Sequence, residues 1–196
     1  AASLLIGSDK VIAECLGVET YAIDFVDHYR GDDSDYDYDW EERWIRDEGF
    51  LKTVPKAVNN LLDSAKVNAA DIKHFILPSD QSRTPGALAK NLGIDQGAIV
   101  DNQIANVGVA GVAQPILLLT KALEAALPGE YILLVGFGQG CDAILFRVTD
   151  ELVHYKPFIG IEAAIKNRRE ELNYNKFLSF NNLVEKDIGK RGEVDK

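Results

Sequence analysis

Strand-type runs alternating with helical ones predict a layered α/β fold, and three stretches of the 196-residue chain carry that expectation. His74-Phe75-Ile76-Leu77 is a short, buried-type strand run that ends at Pro78-Ser79-Asp80. Residues 49–65 place Phe50, Val54, Ala57, Val58, Leu61 and Leu62 near 3.6-residue spacing, the mark of an amphipathic helix. Residues 107–127 are small or apolar throughout their first half except Gln114. A helix of that composition is buried on most sides and needs a sheet on each face. The three together predict a layered αβα architecture, a mixed sheet with a buried central helix.

The remaining elements follow in chain order. The chain opens on Ala1-Ala2-Ser3-Leu4-Leu5-Ile6-Gly7, an apolar strand with no polar run-in, and strands continue from Val11 to Val26. An acidic run, Asp32-Asp33-Ser34-Asp35-Tyr36-Asp37-Tyr38-Asp39-Trp40-Glu41-Glu42, reads as a solvated loop. It lacks the spacing and turn glycine of a calcium loop, so no metal site is expected there. Residues 40–45 form a helical turn, and Pro55 sits early in the helix that follows, where a missing N–H is tolerated. Thr84 to Leu92 reads as a helix with Pro85 at its first position and Gly93 at its stop. Residues 98–101 are short and extended. Pro128-Gly129 ends the long helix, and residues 131–135 and 143–148 make a hairpin whose tip is Gly136-Phe137-Gly138-Gln139-Gly140. Residues 1–150 are thus one domain. Residues 151–196, with a charged helix over 161–172 and a polar tail from Asn173, are an extension or a linker toward another module.

Bulk properties exclude several functions. A net charge of −10 argues against nucleic acid, whose phosphates need a basic face. No apolar run approaches the ~18 residues of a membrane span, and no basic-then-apolar leader opens the chain. Two cysteines, Cys15 and Cys141, suit a reducing cytoplasm better than a disulfide scaffold.

Asn106 and the glycine tip are the residues with chemical promise. A side-chain amide beside exposed backbone N–H groups suits a developing oxyanion. Asn106 also suits an N-cap of the long helix, and the tip also suits an ordinary glycine-rich hairpin. As a nucleotide loop the tip is poor, because a strand follows it instead of a helix. His28, His74 and His154 read as structural or surface histidines. Cys141 reads as a small buried thiol, with no base beside it in sequence. A hydrolase triad has no GxSxG elbow to support it.

The order of these features resembles a family. A strand, the PSDQ turn, a helix ending Asn91-Leu92-Gly93, then Asn106-Val107-Gly108-Val109-Ala110-Gly111, a Pro-Gly stop and the glycine tip are similar to the thiolase superfamily. Specifically, they resemble the C-terminal half of type III 3-oxoacyl-(acyl-carrier-protein) synthases and 3-hydroxy-3-methylglutaryl-CoA synthases. Asp27-His28-Tyr29-Arg30, Trp40-Glu41-Glu42-Arg43 and Arg46-Asp47-Glu48-Gly49 resemble the second of these branches most.

The resemblance implies an acyltransferase that condenses coenzyme A or acyl-carrier thioesters, with the thioester as substrate and no permanently bound cofactor. It implies an N-terminal half carrying the nucleophilic cysteine, without which this chain is inactive, and a homodimeric whole protein. A zinc-ribbon/OB-fold acyl-CoA-associated domain is a further implied partner. Asn106 takes the family asparagine's place as catalytic donor. Gly136, Phe137, Gly138 and Gly140 take that of the oxyanion loop. The family histidine falls at Pro78 or Ser79, where neither residue can act as a base in its manner, and Asp80 or Gln81 are the nearest substitutes. That departure keeps two alternatives open: retro-aldol chemistry, or a non-catalytic subunit that scaffolds an acyl-CoA-binding partner.

Overall fold

The computed structural model describes residues 2–155, 160–167, 172–186 and 189. The chain divides into two compact units, 1–166 and 167–196.

In the first unit a four-stranded mixed sheet has the order β1-β6-β5-β4, built from β1 (Ala13–Ala22), β4 (Ile72–Ile76), β5 (Tyr131–Gly138) and β6 (Gly140–Val148). The β1–β6 and β6–β5 pairs are antiparallel, and β5–β4 is parallel. A separate two-stranded ribbon joins β2 (His28–Tyr29) to β3 (Tyr38–Asp39). The parallel pair requires a crossover, and the chain between β4 and β5 supplies it as α3 (Thr84–Leu92), the short α4 (Ile104–Val107) and α5 (Gln114–Ala125).

Successive residues of β5 point to opposite faces, and each face has its own core. Leu133 and Val135 pack with Phe75, Leu145 and the Val54, Val58 and Leu61 stripe of α2 (Leu51–Ala65). Ile132 and Leu134 pack with Ile76, Val148 and the Leu118, Leu119 and Ala122 stripe of α5. Helices therefore cover both faces of a mixed sheet, which gives the layered α/β class, while the helix expected between two sheets meets this sheet on one face only. Burial on both faces also explains why β5 reads as a continuous apolar run.

The α3 boundaries match their sequence signals, since Pro85 lies in the first turn and Gly93 ends the helix in the left-handed region at φ 77°. Four expectations are corrected. Residues 2–7 form no strand, and Leu5 and Ile6 are exposed. The residues ahead of α2 coil without a break, from α1 (Glu42–Trp44) through a π-turn at Ile45–Phe50. Pro55 is consequently inside the helix, where its missing N–H leaves the Leu51 carbonyl without its usual donor.

The long helix expected over 107–127 is two helices. Gly108 (φ 80°) and Gly111 (φ 57°) take the left-handed region and break it, and α5 begins only at Gln114. Its small-residue lead-in is open to solvent, with Val109 73% and Val112 99% exposed, so within this chain the segment is covered on one side. Last, the polar tail contains a helix. Here α6 (Ile161–Asn167) is the described part of the expected 161–172 helix, and residues 168–171 lie outside the described residues. In the second unit α7 (Tyr174–Phe180) starts with Asn173 accepting from the Asn175 N–H at 3.0 Å. Among the described residues no helix is long and apolar enough to cross a membrane.

Candidate active site

A half-open cleft of about 510 Å³ lies at the carboxyl ends of β4 and β5. Strand length creates it. Pairing between β4 and β5 stops at Ile76 opposite Leu134, so the β5–β6 hairpin overhangs from Val135 to Gly138. Among the described residues no strand pairs with the β4 side of that overhang. The turn Pro78-Ser79-Asp80-Gln81 leaves β4 there and becomes one wall of the cleft, and Phe137 of the hairpin reaches another. Carboxyl ends of neighbouring parallel strands are where open α/β sheets place their ligands.

Each wall is held by identifiable bonds. Ser79 Oγ accepts the Gln81 N–H at 3.1 Å. The buried Gln81 amide donates to the Glu42 carbonyl at 3.1 Å and accepts from Thr84 Oγ1 at 2.8 Å. Gln81 is thereby fully committed to tying the turn to α1. Across the cleft, Gln114 donates to the Asn102 carbonyl at 2.6 Å and accepts the Ala110 N–H at 2.8 Å. One buried amide thus bridges the two ends of the glycine-interrupted loop. Asn102 also lines the cleft, and its Oδ1 is buried with no hydrogen-bond partner among the described residues. A buried acceptor in that state favours a ligand that brings a donor.

The glycine tip is more strand than loop. Gly136, Phe137 and Gly138 lie in register with Asp142, Cys141 and Gly140, leaving Gln139 alone at the turn. Gly140 has φ 120°, and a Cβ there would lie 2.4 Å from the Tyr21 carbonyl oxygen, so only glycine fits beside β1. Phe137 stacks on Phe50 with ring centres 4.0 Å apart and tilts against Phe25 at 5.8 Å. Gly49 makes room for both rings, because a Cβ would lie 2.7 Å from each. Cys141 is buried, which together with the Asp142 charge pushes its thiol up to about 12. It is an unreactive thiol at neutral pH.

Asn106 stands apart from this arrangement. It lies inside α4 and not at a helix N-cap, is exposed, and donates its amide to Gln103 Oε1 at 3.1 Å. It does not line the cleft.

The acidic run is better ordered than a solvated loop and forms the remaining wall. Its β2–β3 ribbon sets His28 opposite Asp39, and the Trp40 N–H donates to the Asp27 carbonyl at 3.0 Å. Asp27, His28, Asp39, Trp40 and Glu42 all line the cleft. Stacked and tilted rings run from Tyr29 through Trp40, Trp44 and Phe25 to Phe137, linking the ribbon to the hairpin tip. Sequence reading took His28 for a structural or surface histidine, noted Gln114 only as the polar exception in an apolar helix, and passed over Asn102; the adjacency of Asp27 and His28 was the available signal. The described lining contains four carboxylates, Asp27, Asp39, Glu42 and Asp80, and neither lysine nor arginine. No group of three or more His, Cys, Asp or Glu side chains among the described residues is placed to hold a metal ion.

Residues 62–148, which run from the end of α2 to the end of β6, match the model of the family described as 3-Oxoacyl-(acyl-carrier-protein) synthase III C terminal. That stretch is similar to the C-terminal part of this family. Among similar proteins, a hydroxymethylglutaryl-CoA synthase of Pyrobaculum aerophilum is 26% identical over 188 residues, covering 93% of this chain and 53% of that protein. One from Methanopyrus kandleri is 26% identical over 154 residues, covering 77% of this chain and 44% of that protein. Of solved structures, 3-oxoacyl-(acyl-carrier-protein) synthase III from Aquifex aeolicus superposes with a TM-score of 0.61 at 20% identity, over 71% of this chain and 46% of that one. The Pseudomonas aeruginosa counterpart gives 0.59 at 22% identity, over 69% and 44%. The chain spans about half the length of the curated relatives it matches.

Proposed function

We propose that this chain is the C-terminal half of an acyltransferase of the condensing type, which forms or cleaves a carbon–carbon bond beside an acyl thioester. The observation that carries this reading is the cleft at the ends of β4 and β5, where the Pro78–Gln81 turn meets Phe137 of the hairpin overhang. The names of the relatives support the same reaction class. The substrate is a coenzyme A or acyl-carrier thioester, and the nucleophilic cysteine comes from an N-terminal half. That half packs over the exposed Val107, Val109 and Val112 segment, a run whose composition calls for burial on a second side. The whole protein is a homodimer, and a zinc-ribbon/OB-fold acyl-CoA-associated domain is its further partner.

In this reading the oxyanion donors are the backbone of Gly136, Phe137, Gly138 and Gly140 and, once its amide turns from Gln103 toward the cleft, Asn106. N–H groups aimed at a thioester oxygen stabilise the charge that gathers there when the α-proton leaves or a nucleophile adds. The carboxylate-lined cleft favours acyl groups without a negative charge of their own. Co-expression with a thiolase-like N-terminal half, followed by thioester condensation and cleavage assays, tests the reading. Activity is expected to fall by about 100-fold in Asn106→Ala, the size of effect seen when one oxyanion donor is removed. Wild-type activity in that variant removes Asn106 from the site.

A second reading, a scaffold without catalysis, is favoured by Pro78 and Ser79 standing where the family histidine is expected. A stable complex with neither condensation nor cleavage would establish it.

A further inference from the structure

We propose that His28, held by Asp27, is the proton-transfer base of this cleft, acting from the ribbon wall and not from the turn after β4. The inference rests on the carbon–carbon bond reading given above.

On the wall after β4 the one ionisable side chain is the Asp80 carboxylate. Pro78 has no ionisable group, the Ser79 hydroxyl already accepts the Gln81 N–H, and both ends of the Gln81 amide are bonded. The opposite wall carries an imidazole, the side chain most often used for proton transfer. His28 Nδ1 and Asp27 Oδ1 are 2.7 Å apart. A carboxylate at that distance holds the proton on Nδ1 and leaves the Nε2 lone pair free to accept another. The His28 side chain is 58% exposed and lines the cleft, so a bound substrate can reach it, whereas Asp27 is the more buried of the two at 25%.

The pair sits in a fixed frame. The Trp40 N–H holds the Asp27 carbonyl, and the ring series from Tyr29 to Phe137 ties the ribbon to the hairpin tip. Asp39 lies opposite His28 in the ribbon register, and Glu42 of α1 and Asp80 of the turn face the same space. Four carboxylates thus surround the imidazole in the described lining, with neither lysine nor arginine among them.

In the condensing direction, Nε2 removes a proton from the α-carbon of a bound thioester. The C–H electron pair becomes the enolate, which attacks the carbonyl carbon of the second thioester. A carbon–carbon bond forms, the carbon–sulfur bond breaks, and the expelled thiolate takes the proton back from the imidazolium. Nothing is oxidised or reduced.

The test uses the complex with the N-terminal half and acetyl-CoA in D2O, following deuterium entry at the α-carbon beside steady-state kinetics. His28→Gln is expected to slow exchange and kcat by about 100-fold or more while changing KM by less than about 3-fold. Asp27→Asn is expected to lose about 10-fold, and added imidazole to restore exchange in His28→Ala. Thermal unfolding of His28→Gln, at an exposed position, stays at the wild-type midpoint. Exchange at the wild-type rate in His28→Gln overturns the proposal and leaves the carbon–carbon bond reading standing, as does exchange that disappears in Asp80→Asn but persists in His28→Gln. A wild-type complex that neither exchanges deuterium nor makes or breaks a carbon–carbon bond overturns both.

Discussion

Helix α2 and residues 104–125 are two stretches with helix-compatible apolar residues that fold differently. In α2 the apolar residues form one stripe, Val54, Ala57, Val58, Leu61 and Leu62, and the sheet of the same chain buries all of them. The run stays helical even across Pro55. Residues 107–113 are apolar on every side but find cover on only one. There Gly108 and Gly111 turn the chain out of the helix, and the regular helix resumes only where Leu118, Leu119 and Ala122 meet the sheet. Helical propensity is a weak term, and burial against a partner decides where a helix runs.

Substitutions at matched positions sharpen that contrast. Leu61→Ala, at a side chain 1% exposed, is expected to cost about 2–5 kcal/mol in denaturant unfolding. Val112→Ala, at 99% exposed, is expected to stay within about 0.5 kcal/mol in the isolated chain. Equal losses would mean that the 107–113 segment is packed in solution, and the contrast would fail.

The next largest effect is expected at the hairpin tip. Gly140→Ala puts a side chain in a strained backbone region and against the Tyr21 carbonyl, at a cost of about 1–3 kcal/mol. An unchanged denaturation midpoint would show that β1 and the tip separate easily, which would weaken the rigid overhang on which the cleft depends.

The smallest effect concerns the other end of the sheet, where Glu130 links β4 to the turn after α5. Its carboxylate accepts the Leu127 N–H at 2.9 Å and meets His74 Nε2 at 3.0 Å. Burial raises its pKa, but the Leu127 bond and His74 outweigh this and hold it below the ordinary carboxylate range. A carboxylate depressed in the folded state stabilises the fold above its unfolded pKa, and that contribution is lost as pH falls through the folded value. Glu130→Gln is therefore expected to be slightly less stable than wild type at neutral pH, by about 1 kcal/mol or less, with the gap closing as the medium is acidified. A gap that widens on acidification would reverse the assigned sign.

Much of the fold was legible in the residues. The α2 stripe, the Pro85 and Gly93 boundaries of α3, the β4 run and the hairpin with its glycine tip are local patterns, set by side-chain period and backbone permission. The site was less legible. The turn after β4 and Phe137 were singled out from sequence, and both line the cleft. Asn106 was singled out too, yet it lies outside the cleft with its amide bonded to Gln103. His28, Asn102 and Gln114 were given no role in a site, because their placement in the cleft comes from what faces them, and juxtaposition across the fold leaves no periodic trace.

The sequence by itself determined the layered α/β class, the order of the major elements and the resemblance to the C-terminal half of thiolase-like enzymes, because each follows from local periodicity and motif order. Tertiary structure alone decided where β4 stops short of β5, that the acidic run pairs as a ribbon against the resulting cleft, and that the adjacent Asp27 and His28 come to line it. Those outcomes depend on strand register and on contacts between residues distant in the chain, and neither is encoded in the pattern of any single segment.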